Sequence, residues 1–293
     1  MRRARHGAKR RRRAGLAQGR SARLTRLRHV NGAAWAAALL ALMSGCAAPR
    51  APAPPHPALR ATADASPRPT SLSTPATAVV EAPGPHAGRS VEGRPIHVQV
   101  LGEGPRCVLL LASIHGNEAA GTPLLEQLAR LLARRPELLQ STRVVIVPVL
   151  NPDGLAAGTR RNAQGVDLNR DYPSSNQRAS QRSEHQPETR TLLELIERHE
   201  PELIVSIHGW MGLVDWDGPG AEVARAMGAA CSLPARQLGA RPGSLGSFLG
   251  LDGGLPVITL ELPAAARSMG PSDLWTRFGP ALLVAVRRPG HSS

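Results

Sequence analysis

The sequence predicts an α/β fold, a mostly parallel mixed sheet with helices on both faces. Four apolar runs carry that expectation: Cys107–Ser113, Val144–Leu150, Leu203–Ile207 and Val257–Leu260. They are continuous rather than alternating, as strands covered on both faces are. Segments of helical periodicity lie between them, and a strong turn signal, Asn151-Pro152-Asp153-Gly154, separates two of the units.

Taken in order, Ile96–Val100 reads as a strand and Cys107–Ser113 as a fully buried one. Pro123 to Leu139 places Leu124, Leu125, Leu128, Leu131 and Leu132 at helical spacing, with Thr122 as N-cap and Pro123 in the first turn. Val144–Leu150 is a buried strand stopped by the Asn-Pro-Asp-Gly turn. Glu188–Glu200 is helical, and Pro201 lies just beyond its end. Leu203–Ile207 and Val257–Leu260 complete the sheet.

Of 293 residues 42% are hydrophobic, enough for a sizeable core, and the formal net charge is +14. The distribution of that charge excludes a basic nucleic-acid-binding domain. Residues 1–45 hold twelve Lys/Arg and no acid, which leaves 24 Lys/Arg against 22 Asp/Glu in 46–293. No nucleic-acid partner is expected.

Residues 1–45 read as a leader. An arginine-dense block, Met1–Arg28, precedes an apolar stretch, Ala33–Met43. As a helix that stretch would rise about 16 Å, roughly half a bilayer core, too short for a stable span. Basic block, short apolar core and small residues in that order make a secretory signal. Leu42-Met43-Ser44-Gly45-Cys46 resembles the lipobox of bacterial lipoproteins. The resemblance implies cleavage before Cys46, lipidation of Cys46, and a membrane anchor in the cell envelope facing the periplasm. Ala47 after the cysteine leans toward the outer membrane. Residues 46–90, rich in Ala, Pro, Ser and Thr, read as a disordered tether, and 91–293 as one catalytic domain.

Cys107 opens an apolar run and reads as a small buried hydrophobe. No Cys-x-x-Cys occurs, which removes cysteine zinc sites and thioredoxin-like chemistry. A Cys107–Cys231 disulfide is compatible with an oxidising compartment but is not fixed by the sequence.

Ligands of such sheets bind beyond the carboxyl ends of the strands. There the chain places Ile114-His115-Gly116-Asn117-Glu118, His208-Gly209 and Glu261-Leu262-Pro263. His115, Glu118 and His208 make a His₂Glu set of the kind that holds catalytic zinc with one position open for water. Glu261 is left over as a general base. Taken singly, each has an ordinary structural explanation; their joint placement at buried strand ends is what points to a cation. Between the strands, Thr159 to Pro173 carries Arg160, Arg161, Asp167, Asn169 and Arg170. Arginine forks there can grip a carboxylate or meet an oxyanion.

These segments resemble the zinc metallocarboxypeptidases of the carboxypeptidase A type. The matching stretches are H-G-N-E at 115–118, N-P-D-G at 151–154, R-R-N-A-Q-G-V-D-L-N-R at 160–170, S-I-H-G at 206–209 and I-T-L-E-L-P at 258–263, in family order. Within the family, Leu213–Pro219 and Arg241–Phe248 are most similar to the murein peptide amidase branch, γ-D-glutamyl-meso-diaminopimelate hydrolases. The resemblance implies one Zn²⁺ on His115, Glu118 and His208, and Glu261 as general base and acid. It implies Arg160 (or Arg161) on the scissile carbonyl, Asn169 and Arg170 on the substrate's terminal carboxylate, and Asp167 orienting His115. The implied substrate is a murein peptide. Asp215, Asp217 and Asp252 are candidates for the charged far end of diaminopimelate. The chain departs from digestive relatives in having one tyrosine, Tyr172, with Phe248 where a capping hydroxyl would be sought.

Two other readings stay open at this point. One is a zinc deacylase of N-acyl amino acids resembling aspartoacylase or succinylglutamate desuccinylase. The other is an envelope lipoprotein that binds peptidoglycan without cleaving it.

Overall fold

A computed structural model describes residues 86–177 and 184–287. The leader, Cys46 and the tether up to residue 85 lie outside the described residues.

The first described element is an antiparallel hairpin of β1 (His86–Arg89) and β2 (Pro95–His97). It starts inside the stretch read as tether, so the folded domain begins before residue 91. Composition missed it because polar bonds dock it. Buried Asp153 accepts from Ser90 Oγ at 2.6 Å, from the Glu92 amide at 2.9 Å and from Arg94 Nη1 at 2.7 Å. The strand read at Ile96–Val100 is two. β2 serves the hairpin, and β3 (Gln99–Leu101) crosses to the main sheet to pair antiparallel with β5.

The main sheet contains β3, β4 (Arg106–Ala112), β5 (Thr142–Val147), β6 (Leu203–Asp217) and β7 (Val257–Pro263), in the order β3-β5-β4-β6-β7. β5, β4 and the first part of β6 run parallel, and β7 joins them. The helices are α1 (Gly121–Arg134), α2 (Pro152–Ala157), α3 (Pro187–His199), α4 (Ala221–Cys231) and α5 (Pro271–Arg287), with a π-helical turn at Gly246–Asp252. Val108, Leu110, Ile146, Val205 and Leu260 face α1, α4 and α5. Leu109, Leu111, Val145, Ile204 and Val257 face α3 and the π-helical turn on the other side. Burying one such side chain is worth about 2 kcal/mol, and burial on both faces is why the strands carry unbroken apolar runs.

Three local readings change. α1 starts at Gly121 with Ala120 at its N-cap, and ends at Arg134 because Pro136 cannot continue the ladder. Thr122 does not cap the helix. Its hydroxyl donates to Pro148 O at 3.0 Å and meets Ser113 Oγ at 2.9 Å, binding α1 to the ends of two strands. Asn151-Pro-Asp-Gly opens α2, with Asn151 Oδ1 accepting from the Gly154 amide at 2.8 Å and Pro152 in the first turn. β6 runs well past Ile207. After Trp210 its register reverses, giving Leu213↔Glu261, Asp215↔Thr259 and Asp217↔Val257, so β6 lies along both sides of β7. Acids are depleted from strands, which is why this second limb reads as loop.

Cys107 and Cys231 are free thiols, buried in the two cores on opposite faces of the sheet. No disulfide joins them. Among the described residues no helix is long and apolar enough to cross a membrane.

Candidate active site

The site is built where β4 stops. Ser113 adopts a left-handed φ of 49°, which turns the chain out of the strand at once. Residues 115–118 then close a tight turn, with the Glu118 amide donating to His115 O at 3.0 Å. Gly116 lies against the backbone that opens α2; a Cβ there would sit 1.9 Å from the Gly154 carbonyl carbon. Only glycine fits so close an approach. Asn151 Nδ2 donates to Ile114 O at 3.3 Å while its Oδ1 caps α2. The two sequence motifs are thus one structural unit.

His115, Glu118 and His208 come together, all buried, with donor atoms within 4.8 Å of one another. His115 Nδ1 lies 3.2 Å from His208 Nδ1, and the Glu118 oxygens lie 3.0 and 2.9 Å from these two nitrogens. Asp167 Oδ1 serves His115 Nε2 at 3.1 Å, and Ser206 Oγ serves His208 Nε2 at 3.0 Å. With the outer nitrogens so engaged, both Nδ1 atoms and the Glu118 carboxylate converge on one point, as the donors of a metal site do. Tetrahedral zinc with metal–nitrogen bonds near 2.05 Å separates two nitrogens by about 3.3 Å, close to the spacing found. The residues fit the metal.

The same contacts set the electrostatics of the three groups. Burial works to raise the Glu118 carboxyl, but its bonds to the two histidines outweigh it and hold the group down to about 2. His208 is pushed down by burial, which favours the neutral ligand form. Burial opposes protonation of His115 too, but Asp167 and Glu118 prevail and raise it. Asp167 is held well below the usual carboxylate range: burial opposes ionisation, and His115 and then Arg160 overcome it. Asp167 thereby fixes the ring of His115 in the orientation a ligand needs.

Glu261 stands beside His208 in the β6–β7 ladder. Its Oε2 is buried and has no hydrogen-bond partner. Burial, and after it the charge of Glu118, push the carboxyl up to about 7. A group poised near neutrality can both take and return a proton.

Arg160 faces the ligands, with Nη1 3.3 Å from Glu118 Oε1 and Nε 3.1 Å from Asp167 Oδ2. Arg161 turns away and bonds Gly165 O. Asn169 Oδ1 accepts from the Leu245 amide at 3.0 Å, which leaves its amide nitrogen to donate elsewhere. Arg170 bonds the Asn169 carbonyl. Its pKa is lowered by burial and by the charges of Arg160 and Arg241, against the pull of Asp167. Three guanidiniums therefore gather over one side of the centre. Arg241 opens the Arg241–Phe248 stretch of the family resemblance, and the sequence did not show that its charge reaches Arg170.

Asp215 and Asp217 are buried on the same face of the sheet as Glu261. Asp215 Oδ1 accepts from the Trp216 and Leu238 amides, whereas Asp217 Oδ1 is buried without a partner. Asp252 is occupied elsewhere, accepting from the Ser175 amide at 2.7 Å and from its hydroxyl. Tyr172 is fully buried and stacked on Phe248, so its hydroxyl cannot cap a substrate.

The zinc carboxypeptidase family model matches residues 85–218. Murein peptide amidase A of Escherichia coli (strain K12) is 32% identical over 201 residues, 61% of this chain and 80% of that protein. The chain belongs to the zinc carboxypeptidase family. The crystal structure of the murein-tripeptide amidase from Escherichia coli O157 superposes with a TM-score of 0.54 at 27% identity, covering 71% of this chain and 94% of that one. Carboxypeptidase A from Helicoverpa armigera gives a TM-score of 0.60 at 19% identity over 69% and 67% of the two chains, a likeness of fold. The zinc carboxypeptidase metal site is thus His115, Glu118 and His208, and its cofactor is one Zn²⁺.

Proposed function

We propose that this zinc carboxypeptidase hydrolyses the amide between γ-D-glutamate and meso-diaminopimelate in murein peptides. The observation that carries the substrate is the pair of buried carboxylates, Asp215 and Asp217, on the face of the β6–β7 ladder that also carries Glu261. Among the described residues neither is paired with a cation, and Asp217 Oδ1 has no partner at all. The side chain of diaminopimelate ends in a centre bearing an ammonium and a carboxylate, and the ammonium would meet them. The relatives named for murein peptides support the same reading.

Bound zinc supplies Lewis acidity to the scissile carbonyl and to water. Asn169 and Arg170 grip the terminal carboxylate and fix the amide in place. Glu261 takes a proton from the attacking water on Oε2 and returns it to the leaving amine. Arg160 donates to the oxygen on which negative charge develops. Asp167 keeps His115 in register throughout. The same proposal places the protein in the cell envelope, lipid-anchored at Cys46 and facing the periplasm.

Mass spectrometry of murein tripeptide digests tests the proposal. Free diaminopimelate is expected from the zinc-loaded protein, none after chelation, and none from Glu261→Gln even though that variant retains zinc. Hydrolysis of N-acyl amino acids with the tripeptide left intact would establish the deacylase reading instead. Murein binding with no turnover would establish the binding-protein reading.

A further inference from the structure

We infer that Glu188 is a positioning residue for Arg160 and Asp167: through Asn162 it holds the loop that delivers both to the metal centre. This rests on the function proposed above and takes it one step back, to the helix that fixes the loop.

Asn162 is buried, and its whole side chain is in use. Its Oδ1 accepts from the Gln164 amide at 3.2 Å and from the Val166 amide at 3.0 Å. The backbone closes the same loop, with Asn162 N donating to Val166 O at 3.0 Å and Gly165 N to Asn162 O at 2.9 Å. Gly165, at a φ of 72°, supplies the left-handed step that this closure needs. Arg160 stands two residues before Asn162, and Asp167 directly follows Val166. The closed loop therefore brings them together, Arg160 Nε lying 3.1 Å from Asp167 Oδ2. Arg161 adds an exposed bond to Gly165 O.

The loop is moored through Asn162 Nδ2, which donates to Gln186 Oε1 at 2.8 Å and to Glu188 Oε2 at 3.2 Å. Both acceptors stand at the start of α3, whose Leu192, Leu195 and Ile196 are packed into the core. Glu188 is fully buried, and its Oε1 accepts from the Val91 amide at 3.3 Å, in the turn between β1 and β2. An ionised carboxylate offers acceptors alone, so it serves both donors at once. A buried amide that loses its acceptor costs more than the bond itself was worth. The loop would shift to find another partner, and the guanidinium of Arg160 and the carboxylate of Asp167 would move with it.

The test reads kcat of zinc-loaded protein on murein tripeptide, and zinc affinity by competition with a chromogenic chelator. Glu188→Ala should lower kcat about tenfold or more, the effect of displacing a catalytic group by a fraction of an ångström to one ångström. Zinc affinity should fall by about tenfold, because Asp167 no longer steadies His115. Asn162→Asp sets a carboxylate against Glu188 and should show both losses. Adding Glu188→Gln to Asn162→Asp restores a donor facing an acceptor and should recover most of each, so the exchange keeps the test open even if Glu188→Ala does not fold. In an Arg160→Ala background, Glu188→Ala should cost little further kcat. Ser90→Ala loosens the hairpin at Asp153 without touching Asn162, and should leave kcat and zinc affinity as they were. Glu188→Ala with both quantities unchanged, or an exchange no better than Asn162→Asp alone, overturns the assignment. So does a kcat loss from Glu188→Ala that is as large without Arg160 as with it, since that marks a merely structural role. If the wild type leaves murein tripeptide intact, the murein reading falls, and zinc affinity still decides this assignment.

Discussion

Arg160 and Arg161 are adjacent and chemically identical, and only their side-chain directions separate them. The sequence leaves both open as the oxyanion arginine. The fold resolves the choice by aiming one at Glu118 and Asp167 and tying the other to Gly165. Arg160→Ala should lower kcat by about 10²-fold or more, as loss of an oxyanion donor does, and Arg161→Ala should stay within about twofold. Steady-state kinetics on one substrate decide it. The metal ligands and Glu261 stood out because each lies at or just past the carboxyl end of a buried apolar run. The nearness of Arg241 to Arg170 did not, because the loop that delivers it has no periodicity to read. Asp217 gives a pH-dependent prediction at the same scale. Burial, and then the charge of Asp215, raise its carboxyl to about 6. The folded protein therefore holds a proton there that the unfolded chain releases near pH 4, so stability falls as pH rises from about 4 to 6. Asp217→Asn should gain on the wild type across that window by on the order of 2 kcal/mol. Urea denaturation at pH 4 and pH 7 measures it, and an equal difference at both values rules out a strained carboxylate.

At the level of elements, the unit that matters joins the turn after β4 to the start of α2. Gly116 and Asn151 hold the two together, and the metal ligands His115 and Glu118 are aimed by that contact. Gly116→Ala should therefore reach beyond stability: zinc affinity is expected to drop at least about tenfold, the scale of losses caused by disturbing what orients a ligand. Competition with a chromogenic chelator reads it out. Unchanged affinity would mean the turn is aimed by something else. The parallel strands and the amphipathic helices were readable from apolar spacing alone. What escaped was set by tertiary partners: the division of Ile96–Val100 between two sheets, the helix hidden in Asn-Pro-Asp-Gly, and the long second limb of β6.

For the whole molecule, the sign and place of charge matter more than its total. The arginine block sits in residues 1–45, and the remaining chain is nearly balanced. Export with anchoring at Cys46 is the proposal that follows. Cys46→Ala should move the protein from the membrane pellet to the soluble fraction of the envelope, and fractionation followed by immunoblotting tests it. Membrane association that survives the change would remove the anchor from the account. The fold class was legible because two-sided burial writes itself into every parallel strand.

Open sheets usually end in a row of bare amides and carbonyls onto which another chain can zip. Here the polypeptide folds over its own outer strand, and Val214 on the returning limb bonds in turn to Pro234 and Arg236. Copies crowded together meet this returning limb, itself covered at Val214, and the strand carrying Glu261 is shielded from cross-pairing by the chain's own next turn.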